Sequence, residues 1–138
     1  MSILGSSVRA RILYLVLASM LVAPAQANEV EIVKAGFEKF GSTWTVYTTL
    51  RHDDTGWDHY ADKWRVVDAH GNVLGERVLL HPHENEQPFT RSESGIDIPE
   101  TTTIVYVEAH DKVHGWSRQR VRVDLHRKSG DRYTVTRH

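Results

Sequence analysis

The chain has 138 residues, with 17 Lys plus Arg against 18 Asp plus Glu, nine histidines, two methionines and no cysteine. A formal charge of −1 gives no electrostatic reason to expect nucleic acid or an anionic lipid surface as a partner. Without cysteine there is no disulfide, so packing alone must hold the fold together.

Residues 1–27 read as a secretory leader. Arg9 and Arg11 supply a positive start, residues 12–22 are apolar, and Ala25-Gln26-Ala27 is a cleavage site of the small-x-small type. The apolar run is shorter than the roughly 20 residues a membrane span needs. The mature chain is expected to begin at Asn28, as one domain over residues 28–138. No cysteine stands at the cleavage site to carry a lipid, so a soluble periplasmic or secreted product is expected. Cleavage removes two arginines and no acid, which takes the net charge to about −3. Met1 and Met20 leave with the leader, which excludes soft sulfur ligation of Cu(I).

From there the pattern has a period of two, and helix signals are nearly absent. Val30 and Ile32 open a first strand toward Phe37. Trp44, Val46, Thr48 and Leu50 share one face of a second. Trp64 and Val66 mark a third at residues 63–68, and the turn Ala69-His70-Gly71-Asn72 returns the chain into a fourth at 73–80. A polar stretch with Pro82 follows. Residues 89–98 hold a short strand centred on Gly95-Ile96-Asp97-Ile98, which Pro99 closes. Val105, Val107 and Ala109 face one way in a strand at 104–109, and Val121, Val123 and Leu125 do so at 118–126. Residues 127–138 form a basic polar tail in which Tyr133 and Val135 extend or decorate the last strand. About seven short strands with turn signals between them predict an all-β, antiparallel β-sandwich.

Val105-Tyr106-Val107-Glu108-Ala109-His110-Asp111, a loop with Gly115, then Ser117 and Val121-Arg122-Val123 resemble the closing hairpin of bacterial immunoglobulin-like and fibronectin type III-like domains. The resemblance covers about a quarter of the mature chain. It implies a single immunoglobulin-like sandwich that binds, spaces or presents other molecules. The cysteine pair of antibody-type domains is missing, so no disulfide carries over.

If the strands alternate up and down, the loops after the second, fourth and sixth strands share one end. Those loops hold His52 and His59, His81 and His83, and His110 and His114. Imidazole is the commonest transition-metal ligand among side chains. In His81-Pro82-His83 the proline favours extended backbone, which turns residues i and i+2 to the same side. Glu84 follows as a group that could orient a ligating ring. Asp111 stands between His110 and His114, placed to ligate, to hold a tautomer or to cap the turn. Nitrogen-rich donors suit Cu(II) or Zn(II) better than calcium. The acid-rich loop at 52–62 lacks the EF-hand pattern. Gly56-Trp57 and Gly115-Trp116 place a tryptophan in two of these loops, either to cover the end of the core or to meet a partner.

Three functions stay open on the sequence. One is a metal site built on His81, His83, His110 and His114, with His52 or His59 as further ligands and Asp111 and Glu84 behind them. Another is metal-free recognition of an exported protein or glycan through Trp57 and Trp116. The third is a pH-responsive interaction domain. Catalysis has no supporting motif, although an ion held by three histidines with an open position would be hydrolytic or redox-active.

Overall fold

Apolar residues on alternate positions can be buried together only if the chain is extended and paired, and the computed structural model shows this outcome. It describes residues 28–138, and the expected leader at 1–27 lies outside the described residues. Nine strands follow in order: β1 (Glu31–Phe40), β2 (Thr43–Arg51), β3 (Ala61–Asp68), β4 (Val73–Val78), β5 (Phe89–Ile96), β6 (Ile104–Asp111), β7 (Gly115–Asp124), β8 (Ser129–Gly130) and β9 (Tyr133–Arg137). One sheet has the order β5-β2-β1-β9-β8 and the other β4-β3-β6-β7. The chain is thus an all-β protein of two layers. Trp64, Phe37, Phe89, Ile32 and Leu50 are the largest side chains sealed between the sheets. No helix of the described residues is long and apolar enough to cross a membrane.

The strand expected at 89–98 is present as β5 and pairs antiparallel with β2 from Leu50↔Phe89 to Trp44↔Ile96, so its centre lies before Gly95. One expectation needs correction. The basic tail does not extend the last strand. It forms β8 and β9, and β9 runs parallel to β1 from Ala35↔Tyr133 to Lys39↔Arg137. Tyr133 and Val135 bury their inward faces this way, and the pairing covers an edge of β1 that would otherwise stand open.

Because β5 crosses the sandwich, the loops at 52–60, 79–88 and 112–114 lie at one end. β1 starts at this same end, since Glu31 pairs with Arg51 at the close of β2. Two register shifts sit near it, with extra residues in β3 between Ala61 and Lys63 and in β7 between Trp116 and Arg120. Such bulges twist a strand and re-aim its last side chains.

Candidate metal centre

Asp111 ends β6 with Ala61 of β3 opposite it on one side and Gly115 of β7 on the other. Both neighbours are small, so the space over the carboxylate is left to the loops. Asp111 Oδ1 accepts hydrogen bonds from Val113 N (2.9 Å) and His114 N (2.8 Å), which closes the β6–β7 turn. His114 Nδ1 lies 3.1 Å from the same oxygen. Burial alone would raise the Asp111 pKa, but the two backbone N–H donors and the His114 ring outweigh it and hold the carboxyl below its usual range.

The loop at 52–60 delivers two more imidazoles. Thr55 N donates to His59 O and His59 N to Gly56 O, and Gly56 adopts a φ of 141° that favours glycine. This tight turn lifts Trp57 outward and folds His59 back over the core. The His59 ring stands 4.9 Å from the His52 ring and 5.1 Å from that of His114. His59 Nε2 is 3.2 Å from Asp111 Oδ1, but the angle is not that of a hydrogen bond. His59 Nε2 and Asp111 Oδ2 are both buried without a hydrogen-bond partner among the described residues. One ligand atom each from His52, His59 and Asp111 lie within 4.8 Å of one another.

His52 is held from both sides. Its Nδ1 donates to Asp54 Oδ1 at 2.5 Å and its Nε2 to the carbonyl of Asn28 at 2.7 Å. Burial would lower its pKa, but these two bonds and the nearby carboxylates of Asp54 and Asp111 prevail and raise it. Asp54 also accepts from Ala61 N (3.0 Å) and His83 N (2.7 Å). Its carboxyl is held low because these donors outweigh the burial that would raise it. Gln87 ties the next loop in, accepting from His52 N and donating to His83 O.

The structure thus gathers His52, His59, Asp111 and the bordering His114, and it places the other expected ligands elsewhere. His110 precedes Asp111 by one residue, so strand alternation turns it to the outer face. There its Nδ1 donates to Asp62 at 2.5 Å and its ring meets the edge of Trp116. His81 and His83 do turn to one side, with ring centres 4.5 Å apart. His83, however, stacks on Phe89 and takes a hydrogen bond from Arg91, while the exposed His81 donates to Pro82 O. Glu84 approaches Gly56 rather than a histidine: a β-carbon placed on that glycine would lie 3.7 Å from Glu84 Oε1. Trp57 is 64% exposed and touches Tyr60 by its edge, so it does not cover the core. Trp116 lies in β7 rather than in a loop, with the Arg65 guanidinium 3.6 Å above its ring. Sequence reading missed Asp54 and Asn28. The acid-rich loop signalled the first only as one carboxylate among several, and nothing local signalled the second.

No protein-family model and no solved structure matches the chain. A protein of Halomicrobium mukohataei named "Putative lipoprotein" is 53% identical over 76 residues, which is 55% of this chain and 37% of that relative. The chain therefore spans little more than a third of the relative's length.

Proposed function

We propose that this protein is an exported immunoglobulin-like binding domain that holds a Cu(II) or Zn(II) ion at His52, His59 and Asp111, with His114 at the border of the site. The observation that carries the reading is the pair of orphaned buried atoms, His59 Nε2 and Asp111 Oδ2, beside a third ligand atom on His52. Two or three imidazoles and one carboxylate form a borderline donor set, better suited to these ions than to calcium. The order of β1 to β7, with β5-β2-β1 facing β4-β3-β6-β7, supports the immunoglobulin-like or fibronectin type III-like reading. The leader pattern and the lipoprotein name of the relative support export.

Thermal melts of the metal-free protein, repeated with Zn(II), Cu(II) and Ca(II), test the site. At 100 times Kd an ion that binds only the folded state adds about 2.7 kcal/mol. Zn(II) or Cu(II) should raise Tm, and His59→Gln should abolish the rise. No response to either ion would refute the reading. A second reading follows from Trp57, whose exposed ring shares the end with exposed Leu80 and Val113, as a platform for an exported protein or glycan. Under it, Trp57→Ala removes partner binding and a chelator does not.

A further inference from the structure

Resting on the metal reading above, we infer that the α-amine freed by cleavage after Ala27 is itself a ligand, so that the centre is completed only on the processed chain. His52 has one nitrogen left for an ion, because Nδ1 is committed to Asp54. The remaining Nε2 points at the carbonyl oxygen of Asn28, 2.7 Å away. The two atoms therefore face one point, and an ion between them would replace this hydrogen bond and part them to the roughly 3.3 Å between ligands on a tetrahedral ion. Asn28 is also the residue that the Ala25-Gln26-Ala27 motif makes the first of the mature chain. The amine and carbonyl of an N-terminal residue close a five-membered chelate ring on a metal. The carbonyl is thus already in position, and processing supplies the nitrogen.

The fold brings this residue to the site and fixes it there. β1 begins at the end of the sandwich where β2 finishes, with Glu31 opposite Arg51. Val30 is 1% exposed, and the Glu29 carboxylate accepts from Arg118 N at 3.3 Å. Chemistry agrees with placement. An α-amine has a pKa of roughly 7.7–8.0, far below that of lysine, and yields its proton to an ion near neutral pH. Amine and carbonyl together would bring the donors to five with His52, His59 and Asp111, and leave His114 free to orient Asp111.

The test uses the exported protein, its N-terminus checked by mass spectrometry, beside the same chain with Ala27 retained and beside an Nα-acetylated form. Cu(II) and Zn(II) affinities are measured by competition with a chelator. Blocking the amine should weaken Cu(II) by about tenfold or more while the metal-free melting temperature stays the same. The Cu(II) electron paramagnetic resonance spectrum should also lose the hyperfine coupling of one nitrogen. Equal affinities and spectra for free and blocked chains would overturn the amine ligand and leave the histidine–aspartate site standing. A mature chain that starts at another residue would overturn it as well. Absence of binding by all three forms would remove the metal reading, and the amine with it.

Discussion

Asp54 has no exposed side-chain surface and accepts from His52 Nδ1, Ala61 N and His83 N. Removing it leaves His52 Nδ1 and two backbone donors buried without an acceptor. Breaking one side of such a pair costs about 3–5 kcal/mol, so Asp54→Ala should lower unfolding stability by that order in urea titrations. A loss below about 1 kcal/mol, the scale of a surface pair, would show that water reaches the carboxylate. His83 gives a pH signature. Burial, then the Arg91 guanidinium and His81, lower its pKa from the usual histidine value. A depressed histidine favours the folded state while neutral, so its contribution is present above about pH 6.5 and is lost as the pH falls through that value and below. His52 works in the opposite sense: its raised pKa gives stability below about pH 6.5 that is lost at higher pH. In the metal-free protein, His83→Leu keeps the apolar stack on Phe89 and should remove the acid-side decline, leaving the His52 slope. An unchanged pH–stability curve would show that His83 does not titrate on unfolding.

At the scale of strands, Gly75 decides how closely β4 approaches β5 across the gap between the sheets. A β-carbon there would come within 2.7 Å of Ile96 Cδ1 and 2.8 Å of its Cγ1, and Ile96 is buried. Overpacking of this kind costs about 1–3 kcal/mol. Gly75→Ala should destabilise by that amount, and adding Ile96→Val should recover part of it. Additive losses in the double-mutant cycle would contradict the contact. Nothing in the sequence marked this glycine, because the contact joins positions far apart in the chain. The strands themselves were legible where alternation ran for four or more residues, as in Trp44, Val46, Thr48 and Leu50. β9 was not, because a strand with two inward residues and a parallel partner at the other end of the chain has no local sign. The shared end of the three loops followed from counting crossings. Which histidines met there did not follow from that count, although continuing the alternation of Val105, Val107 and Ala109 turns Asp111 inward and His110 outward. The i, i+2 rule set His81 and His83 on one side, but that side faces Phe89.

For the molecule as a whole, the site lies where the two sheets meet. His52 follows β2 of one sheet, Asp111 ends β6 of the other, and His59 sits in the loop that joins β2 to β3. An ion bound to all three clamps the layers at one end, in a chain that has no cysteine to do so covalently. Its binding energy is then set against global unfolding rather than the opening of one loop. Zn(II) should raise the free energy of hydrogen exchange in β2 and β6 together, by the same amount as it raises overall stability. The effect must also depend on pH. Imidazoles ligate only when neutral, and the His52 ring has a raised pKa and gives up a proton from Nε2 to bind. The Tm shift with Zn(II) should therefore be large near pH 7.5 and small near pH 5.5, on either side of the usual histidine pKa of about 6.5. This dependence separates the clamp from a carboxylate site elsewhere on the surface, where the ligands are already ionised at both values. Equal shifts at the two pH values, or protection confined to residues 52–60, would mean that the ion does not bridge the sheets through these histidines.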